Sequence, residues 1–406
     1  MTANKNLSKE HIELCETYSA KNYHPLPVVL SHGQGSWVYD VEGKKNLDML
    51  SGYSALNQGH TNEEIIKALT EQAKQLTLTS RAFLNDQMGP FCKELAQLCG
   101  MDKVLPMNTG AEAVETAIKT ARKWGYTVKG IPMDKAEIIT CAANFHGRTI
   151  SVITFSTEEL YTKYFGPYTP GFKSIPFADT DALENAITKN TAAFLVEPIQ
   201  CEAGIIVPPK DYFKKVREIC TKNNVMLIMD EIQTGLGRTG KMFSFEHEGI
   251  RPDLLILGKA LGGGVLPISA VVGPKNIMDV FIPGEHGSTF GGNPLACAVA
   301  RAALKVLIDN KLHERSEKLG KVLFAKLATI KSPHVKEIRG RGLIVGIELK
   351  DSAKGARRFC EALMEDGLLT KETHENVIRM APPLTISEED LDLGFNKVKK
   401  VLETLK

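Results

Sequence analysis

Residues 225–231, VMLIMDE, and residues 254–264, LLILGKALGGG, decide the architecture. Each opens on a short, wholly apolar run and ends on residues that carry chemistry: Asp230 in the first, Lys259 in the second. Runs of four to five apolar residues with no polar alternation read as strands buried on both faces, the signature of a parallel sheet covered by helices. Working outward, 104–107, 137–141, 192–196 and 268–272 have the same character. Amphipathic stretches at 111–124, 182–187 and 212–223 lie between several of them, so strands alternate with helices. The fold class expected is α/β: a large domain over 46–309, with a mostly parallel sheet between helices, and a smaller α+β domain built from both chain ends, 1–45 and 310–406. In the second unit, SWVYDVEGKKNLDML (36–50) reads as a hairpin turning at Glu42 and Gly43, and 304–330 as one helix. Residues 335–349 read as two strands about the RGRG turn, and 387–405 as a closing helix begun by Ser387 with Asp390 three residues on.

A chain of 406 residues is too long for one compact core and suits this division. With 43% hydrophobic and 24% charged residues and a net charge of +2, it has the composition of a soluble globular protein, with no basic stripe for nucleic acid. The first twenty residues mix Lys5, Lys9, Glu10, Glu13 and Glu16 with few apolar groups, which is neither a secretory h-region nor a transit peptide. No apolar run approaches a membrane span. The eight cysteines include no Cys-x-x-Cys pair and no histidine at zinc-ligand spacing, so no metal is expected. A soluble, cytoplasmic protein with small-molecule partners is expected, without nucleic acid or membrane.

Open α/β sheets bind ligands where strands end and loops begin. Lysine forms imines only when deprotonated, and burial at a strand end lowers its pKa, so Lys259 is a candidate covalent anchor. The glycines at 262–264 leave room for a flat ring beside it. Taken alone, a lysine after a strand is a solvated loop residue, but Asp230 at a neighbouring strand end changes the reading. A buried carboxylate there can pair with a protonated pyridine nitrogen and keep the ring an electron sink. Its structural alternative is a helix cap or an ion pair. Thr109, Gly110 and Ala111, at the start of a helix, offer a hydroxyl and free amides to a phosphate. The stretch GLGRTGK (235–241) fits two nucleotide-loop spacings. A Walker loop needs Ser or Thr at 242, where Met242 stands, and no convincing helix follows for a dinucleotide fingerprint.

The motifs NTGAEAVETAIK (108–119), NFHGRT (144–149), VEPIQCEAG (196–204), DEIQTGLGRTG (230–240), GKALGGG (258–264) and GEHGSTFGGNP (284–294), in this order, resemble the class III (ω-amino acid) aminotransferases. These are pyridoxal-phosphate (PLP) enzymes of fold type I, and the resemblance covers essentially the whole chain. Within the family, NYHPLP with Tyr23, SGYSALNQGH with Tyr53, LTLTSRAF and IRMAPPL with Arg379 resemble the branch acting on the δ-amine of L-ornithine with 2-oxoglutarate as acceptor.

The resemblance implies a homodimer with shared active sites. Lys259 would attach the cofactor and carry the proton, and Asp230 would hold the pyridine nitrogen. Gln233 would bond the ring's phenolic oxygen, and Phe145 would stack on the ring. Thr109, Gly110 and Ala111 would take the phosphate, joined by Ser288 and Thr289 of the GSTFGG stretch, with Thr289 reaching across from the partner. Tyr23 and Arg148 would hold the carboxylate distant from the reacting amine, and Tyr53 would shape the pocket for ornithine. Arg379 would grip the α-carboxylate of 2-oxoglutarate, with Glu202 as its partner otherwise. His146 fits the pattern as cofactor packing. One departure stands out: Cys201 occupies the place of an expected glycine, which implies a backbone strained by about 1–2 kcal/mol and puts the position of Glu202 in doubt. Acetylornithine or another ω-amino acid as donor, and a non-catalytic PLP-binding protein, are the alternatives.

Overall fold

The computed structural model describes residues 7–405. Seven strands form the central sheet in the order Lys103–Met107, Ser269–Gly273, Leu254–Leu257, Met226–Asp230, Thr191–Val196, Glu137–Cys141, Phe172–Ile175. Only Ser269–Gly273 runs against the rest, and it pairs antiparallel with both its neighbours. The strand Phe172–Ile175 at the far edge is not apparent from sequence, because FKSI carries Lys173 and Ser174 and only Ile175 is buried.

Period-two alternation sends successive side chains of each strand into different layers. Met226 and Ile228 face the helix Gly110–Thr127 and meet Ala113, Ala117 and Ile118. Leu227 and Met229 face the opposite layer, with Phe213 and Val216 of the helix Tyr212–Lys222. Each fully buried aliphatic chain here contributes roughly 1.5–3 kcal/mol. Because both faces are filled, Leu227→Ala would leave a cavity costing about 2–5 kcal/mol.

Two four-stranded sheets flank this core. One holds Leu30–Gln34, Trp37–Asp40, Lys45–Asp48 and Leu368–Leu369, and so joins chain from both ends. Its hairpin turns as expected, with the Gly43 amide donating to the Asp40 carbonyl and Gly43 at φ 86°. Position 46 lies inside the strand Lys45–Asp48, and residues 1–6 and 406 of the expected second unit lie outside the described residues. The other sheet holds Val335–Arg341, Ile344–Leu349, Val377–Met380 and Lys371–Thr373. The closing helix is Glu388–Thr404, capped by the Ser387 hydroxyl, which accepts from the Asp390 amide at 2.9 Å.

The expected single helix over 304–330 is instead two, Pro294–Asp309 and Leu312–Leu327. Asn310 ends the first, and Lys311 adopts the left-handed conformation at φ 48°. Apolar spacing continues across the break, which hides it. The first helix begins with Asn293 as cap and Pro294 in its first turn, a strong start signal.

Candidate active site

Five strands running the same way deliver their following residues to one edge of the sheet. There Gly110, Ala111, Phe145, His146, Gly147, Glu197, Asp230, Gln233 and Lys259 line a cavity of about 210 Å³. A larger cleft of about 620 Å³ opens at the opposite strand ends, among Gly100, Arg217 and Arg251. None of the residues singled out from sequence lines it, and Arg217 is spent on Asp253.

Asp230 closes its strand and is buried. One carboxylate oxygen accepts the Ile232 amide at 3.0 Å, and the other lies 2.7 Å from Nδ1 of His146. Burial opposes charging of the His146 ring, but the Asp230 carboxylate outweighs it and raises the pKa. His146 is therefore bonded to the Asp230 carboxylate, a contact that the sequence reading of it as packing did not include. Glu197, one residue past the strand Thr191–Val196, accepts the Phe145 amide at 2.9 Å. Burial pushes its carboxyl up to about 8, so it holds its proton at neutral pH. Gly147 is required here: at φ 125°, an added Cβ would stand 2.9 Å from Cβ of Ala111. That close approach seats Phe145 and His146 against the helix start.

Lys259 follows the strand Leu254–Leu257 at φ 44° and points into the cavity. Burial lowers its pKa, with the Glu202 carboxylate opposing, so its amine gives up a proton more readily than a solvated lysine.

Arg379, on the strand Val377–Met380, is fully buried. Its two terminal nitrogens donate to the two oxygens of Glu202 at 2.7 and 2.6 Å, and Nη1 also donates to Gln233 at 3.0 Å. Burial alone would raise the Glu202 carboxyl, but the guanidinium overrides it and brings the pKa down to about 2. Gln233 lines the cavity and also donates to Glu202 at 3.3 Å. Tyr53 lies against this pair, its ring centroid 4.9 Å from the Arg379 guanidinium. It sits in a left-handed turn, since Ser51, Gly52, Tyr53 and Ser54 all have φ between 47° and 69°. Non-glycine residues pay about 1–2 kcal/mol each for that conformation. The turn is held by Asp48, which accepts the Leu50 and Ser51 amides at 2.8 Å each, and by the Ser51 hydroxyl, which donates to the Ala381 carbonyl at 2.6 Å.

The expected strain at Cys201 is not found. Cys201 is absent from the residues of positive φ, where Gly204 at 107° and Ile205 at 59° make the turn instead. Its buried thiol donates to the Ile199 carbonyl at 3.4 Å, and Glu202 reaches Arg379 unhindered. A side chain fits because this position has ordinary backbone angles and an apolar niche beside Ile199 and Ile344.

Other predicted residues lie around the cavity. Thr109 caps the helix Gly110–Thr127 through a reciprocal pairing with Glu112, leaving the amides of Gly110 and Ala111 without helical acceptors. Ser288 accepts from Asn108 at 2.7 Å, and Thr289 is exposed; neither lines the cavity. Tyr23 is 78% exposed, yet close enough to perturb the Tyr53 hydroxyl. Arg148 is exposed and lies over the rings of Tyr161, at 3.7 Å, and Phe145, at 5.5 Å.

These residues fit PLP. A less basic lysine and a buried carboxylate share a cavity beside a helix start with free amides. Gly110 leaves no Cβ there, where one would come 3.0 Å from Ile232. Among the described residues no group of three or more His, Cys, Asp and Glu could hold a metal, and no helix is long and apolar enough to cross a membrane.

Comparison with known proteins gives the family. The chain matches Aminotransferase class-III over residues 18–402. It is 59% identical over 392 residues to the ornithine aminotransferase of Geobacillus sp. (strain WCH70), covering 97% of this chain and 98% of that protein. The crystal structure of ornithine aminotransferase from Toxoplasma gondii ME49 superposes with a TM-score of 0.96 at 47% identity, covering 98% of this chain and 96% of that one. That of acetylornithine aminotransferase from Elizabethkingia anophelis gives a TM-score of 0.89 at 50% identity, covering 97% and 98%. The chain belongs to the class III aminotransferases, PLP-dependent transaminases of fold type I.

Proposed function

We propose that this protein transfers the δ-amine of L-ornithine to 2-oxoglutarate, giving glutamate 5-semialdehyde and glutamate in two half-reactions, as a cytoplasmic homodimer with shared sites. PLP, when bound, supplies an electrophilic carbon for the amine and a ring that accepts the electron pair left by proton loss.

The chain's own residues divide the remaining work. Lys259 attaches the cofactor, and its amine, once free, takes the proton from the substrate's δ-carbon and returns it. Asp230, steadied by His146, keeps the ring nitrogen charged. Gly110 and Ala111 offer amides to the phosphate, with Thr109 and Ser288 as further cofactor contacts and Thr289 reaching across from the partner. Phe145 packs against the ring, and Gln233 holds its phenolic oxygen. Tyr23 and Arg148 take the carboxylate far from the reacting amine, and Tyr53 shapes the pocket beside it.

The observation that carries the reading is the bidentate pair of Arg379 and Glu202 beside Tyr53. Ornithine brings no carboxylate to Arg379 and would be repelled by a bare guanidinium. With Glu202 in place that charge is masked, and 2-oxoglutarate displaces the carboxylate to reach it. One protein thus accepts two differently charged substrates, as a ping-pong reaction requires. Steady-state assays with ornithine, acetylornithine and 4-aminobutyrate, each with 2-oxoglutarate, test it. Ornithine is expected to have the highest kcat/KM; a preference for acetylornithine would overturn the donor assignment.

A further inference from the structure

Arg148 stands beside the cavity with no carboxylate paired to it among the described residues, and two aromatic rings hold it. Its guanidinium lies 3.7 Å from the ring centroid of Tyr161 and 5.5 Å from that of Phe145, and the two rings meet edge to face at 6.1 Å. Tyr161 comes from a different part of the chain, the single turn Glu159–Thr162. That turn is in reach of the C-terminal sheet, with Glu158 3.8 Å from His374. Burial raises the pKa of the Tyr161 hydroxyl, and the charge of Arg148 and its hydrogen bond to that hydroxyl oppose the rise.

An arginine stacked on a ring keeps its five N–H donors in one plane, free at the edge for a carboxylate. An arginine without the ring loses that orientation and must be ordered again whenever ligand binds. We propose that Tyr161 is a positioning residue that fixes Arg148 in the plane needed to receive the substrate's distal carboxylate, and so sets selectivity for amine donors that carry one. The inference rests on the reading of Arg148 as the ligand for that carboxylate. Ornithine and 2-oxoglutarate both present such a group, so the effect belongs to both half-reactions. The stack acts on binding, leaving the chemistry at Lys259 untouched.

The test uses the holoenzyme with Tyr161→Leu, Tyr161→Phe and Arg148→Ala. Tyr161→Leu is expected to raise KM for ornithine and for 2-oxoglutarate by roughly 5- to 20-fold, in the range of a lost cation–π contact, with kcat within about twofold of wild type. Tyr161→Phe keeps the ring face and should restore both constants to within about twofold. Calorimetric titration with glutarate, an inert dicarboxylate, gives a readout free of turnover: its Kd should weaken by the same factor in Tyr161→Leu, while that of butyrate stays unchanged. Turnover of 1,4-diaminobutane, which is ornithine without its carboxylate, should be equal in wild type and Tyr161→Leu. Equal losses with ornithine and 1,4-diaminobutane would show a merely structural tyrosine and overturn the proposal. If Arg148→Ala weakens glutarate and Tyr161→Leu does not, the positioning role fails and the Arg148 reading stands. If Arg148→Ala leaves glutarate and ornithine unaffected, the Arg148 reading fails and takes the proposal with it. Should Tyr161→Leu not fold, Tyr161→Ser in the same exposed turn is measured in its place under the same criteria.

Discussion

Arg379 and Glu202 meet through two short charge-assisted hydrogen bonds, and each variant of the pair makes its own demand. Removing one partner of a buried pair costs about 3–5 kcal/mol, because the other charge is left uncompensated. Arg379→Ala is therefore expected to slow the 2-oxoglutarate half-reaction by a hundredfold or more, by that order of energy, while sparing much of the ornithine half. Glu202→Ala should do the reverse, favouring glutamate as donor. Stopped-flow measurement of each half-reaction decides it; equal slowing of both by both variants would remove the gating role. Glu197 makes a different demand, on pH. Its folded pKa, about 8, lies above the ordinary 4.5, so the native state holds a proton that the unfolded state releases across that window. The associated stability is full below about pH 4.5 and is lost as pH rises toward 8. Glu197→Gln can still accept the Phe145 amide and has nothing to titrate. Its denaturation free energy should therefore fall less steeply between these limits, by up to about 1.4 kcal/mol per pH unit, in urea titrations of the apoprotein. Identical slopes would mean that Glu197 is ionised in the native protein. Lys259 and Asp230 were legible in the sequence because each ends an apolar strand, and strand ends of a parallel sheet converge. Glu197 does so too, but within VEPIQ it reads as part of a motif with no stated task. Tyr161 lies in a surface segment with no periodicity, and nothing in EELYTKY says that its ring finds Arg148.

The left-handed turn at Ser51–Ser54 puts four consecutive residues at positive φ and carries Tyr53, the residue proposed to shape the pocket. Ser54 adopts φ 69°, and its buried hydroxyl has no hydrogen-bond partner among the described residues. Ser54→Gly removes both penalties against a smaller loss of chain entropy, so a gain of about 1 kcal/mol is expected. Thermal denaturation of the apoprotein reads this as a rise in Tm. A fall would show that the Ser54 side chain is needed in its niche. Sequence gives no warning of this turn, since only Gly52 of the four residues favours positive φ; the conformation is imposed by Asp48 and Ala381 from outside it. The break between Pro294–Asp309 and Leu312–Leu327 was hidden for the opposite reason: its local pattern is too regular. The hairpin at Gly43 and the helix capped by Ser387 were readable, because turn and cap chemistry are local.

At the scale of the whole molecule, the exposed Thr289 lies outside the cavity lining, and the proposed dimer accounts for it. If each site takes Lys259 from one chain and Thr289 from the other, a hybrid dimer of Lys259→Ala with Thr289→Lys contains one intact site. Both parent variants should be nearly inactive, and mixing them under subunit exchange should restore up to about half of wild-type activity per hybrid. No recovery, with hybrids verified by native mass spectrometry, would place each site within a single chain. Arg238, within the GLGRTGK stretch that resembles a nucleotide loop, bears on the same scale. Fully buried and pushed down to about 9 by that burial, it donates to the Leu343 and Pro382 carbonyls, the Ser51 hydroxyl and the Asn57 side chain, and none of these acceptors is a carboxylate. These acceptors come from stretches 105 to 187 residues away in the chain. A charge of this kind cannot be hidden until all of them have arrived. The segment carrying Lys259 is for that reason not a portable module: cut free of the C-terminal hairpin at Leu343 and of the stretch at Pro382, it would leave a buried guanidinium stripped of two of its four acceptors.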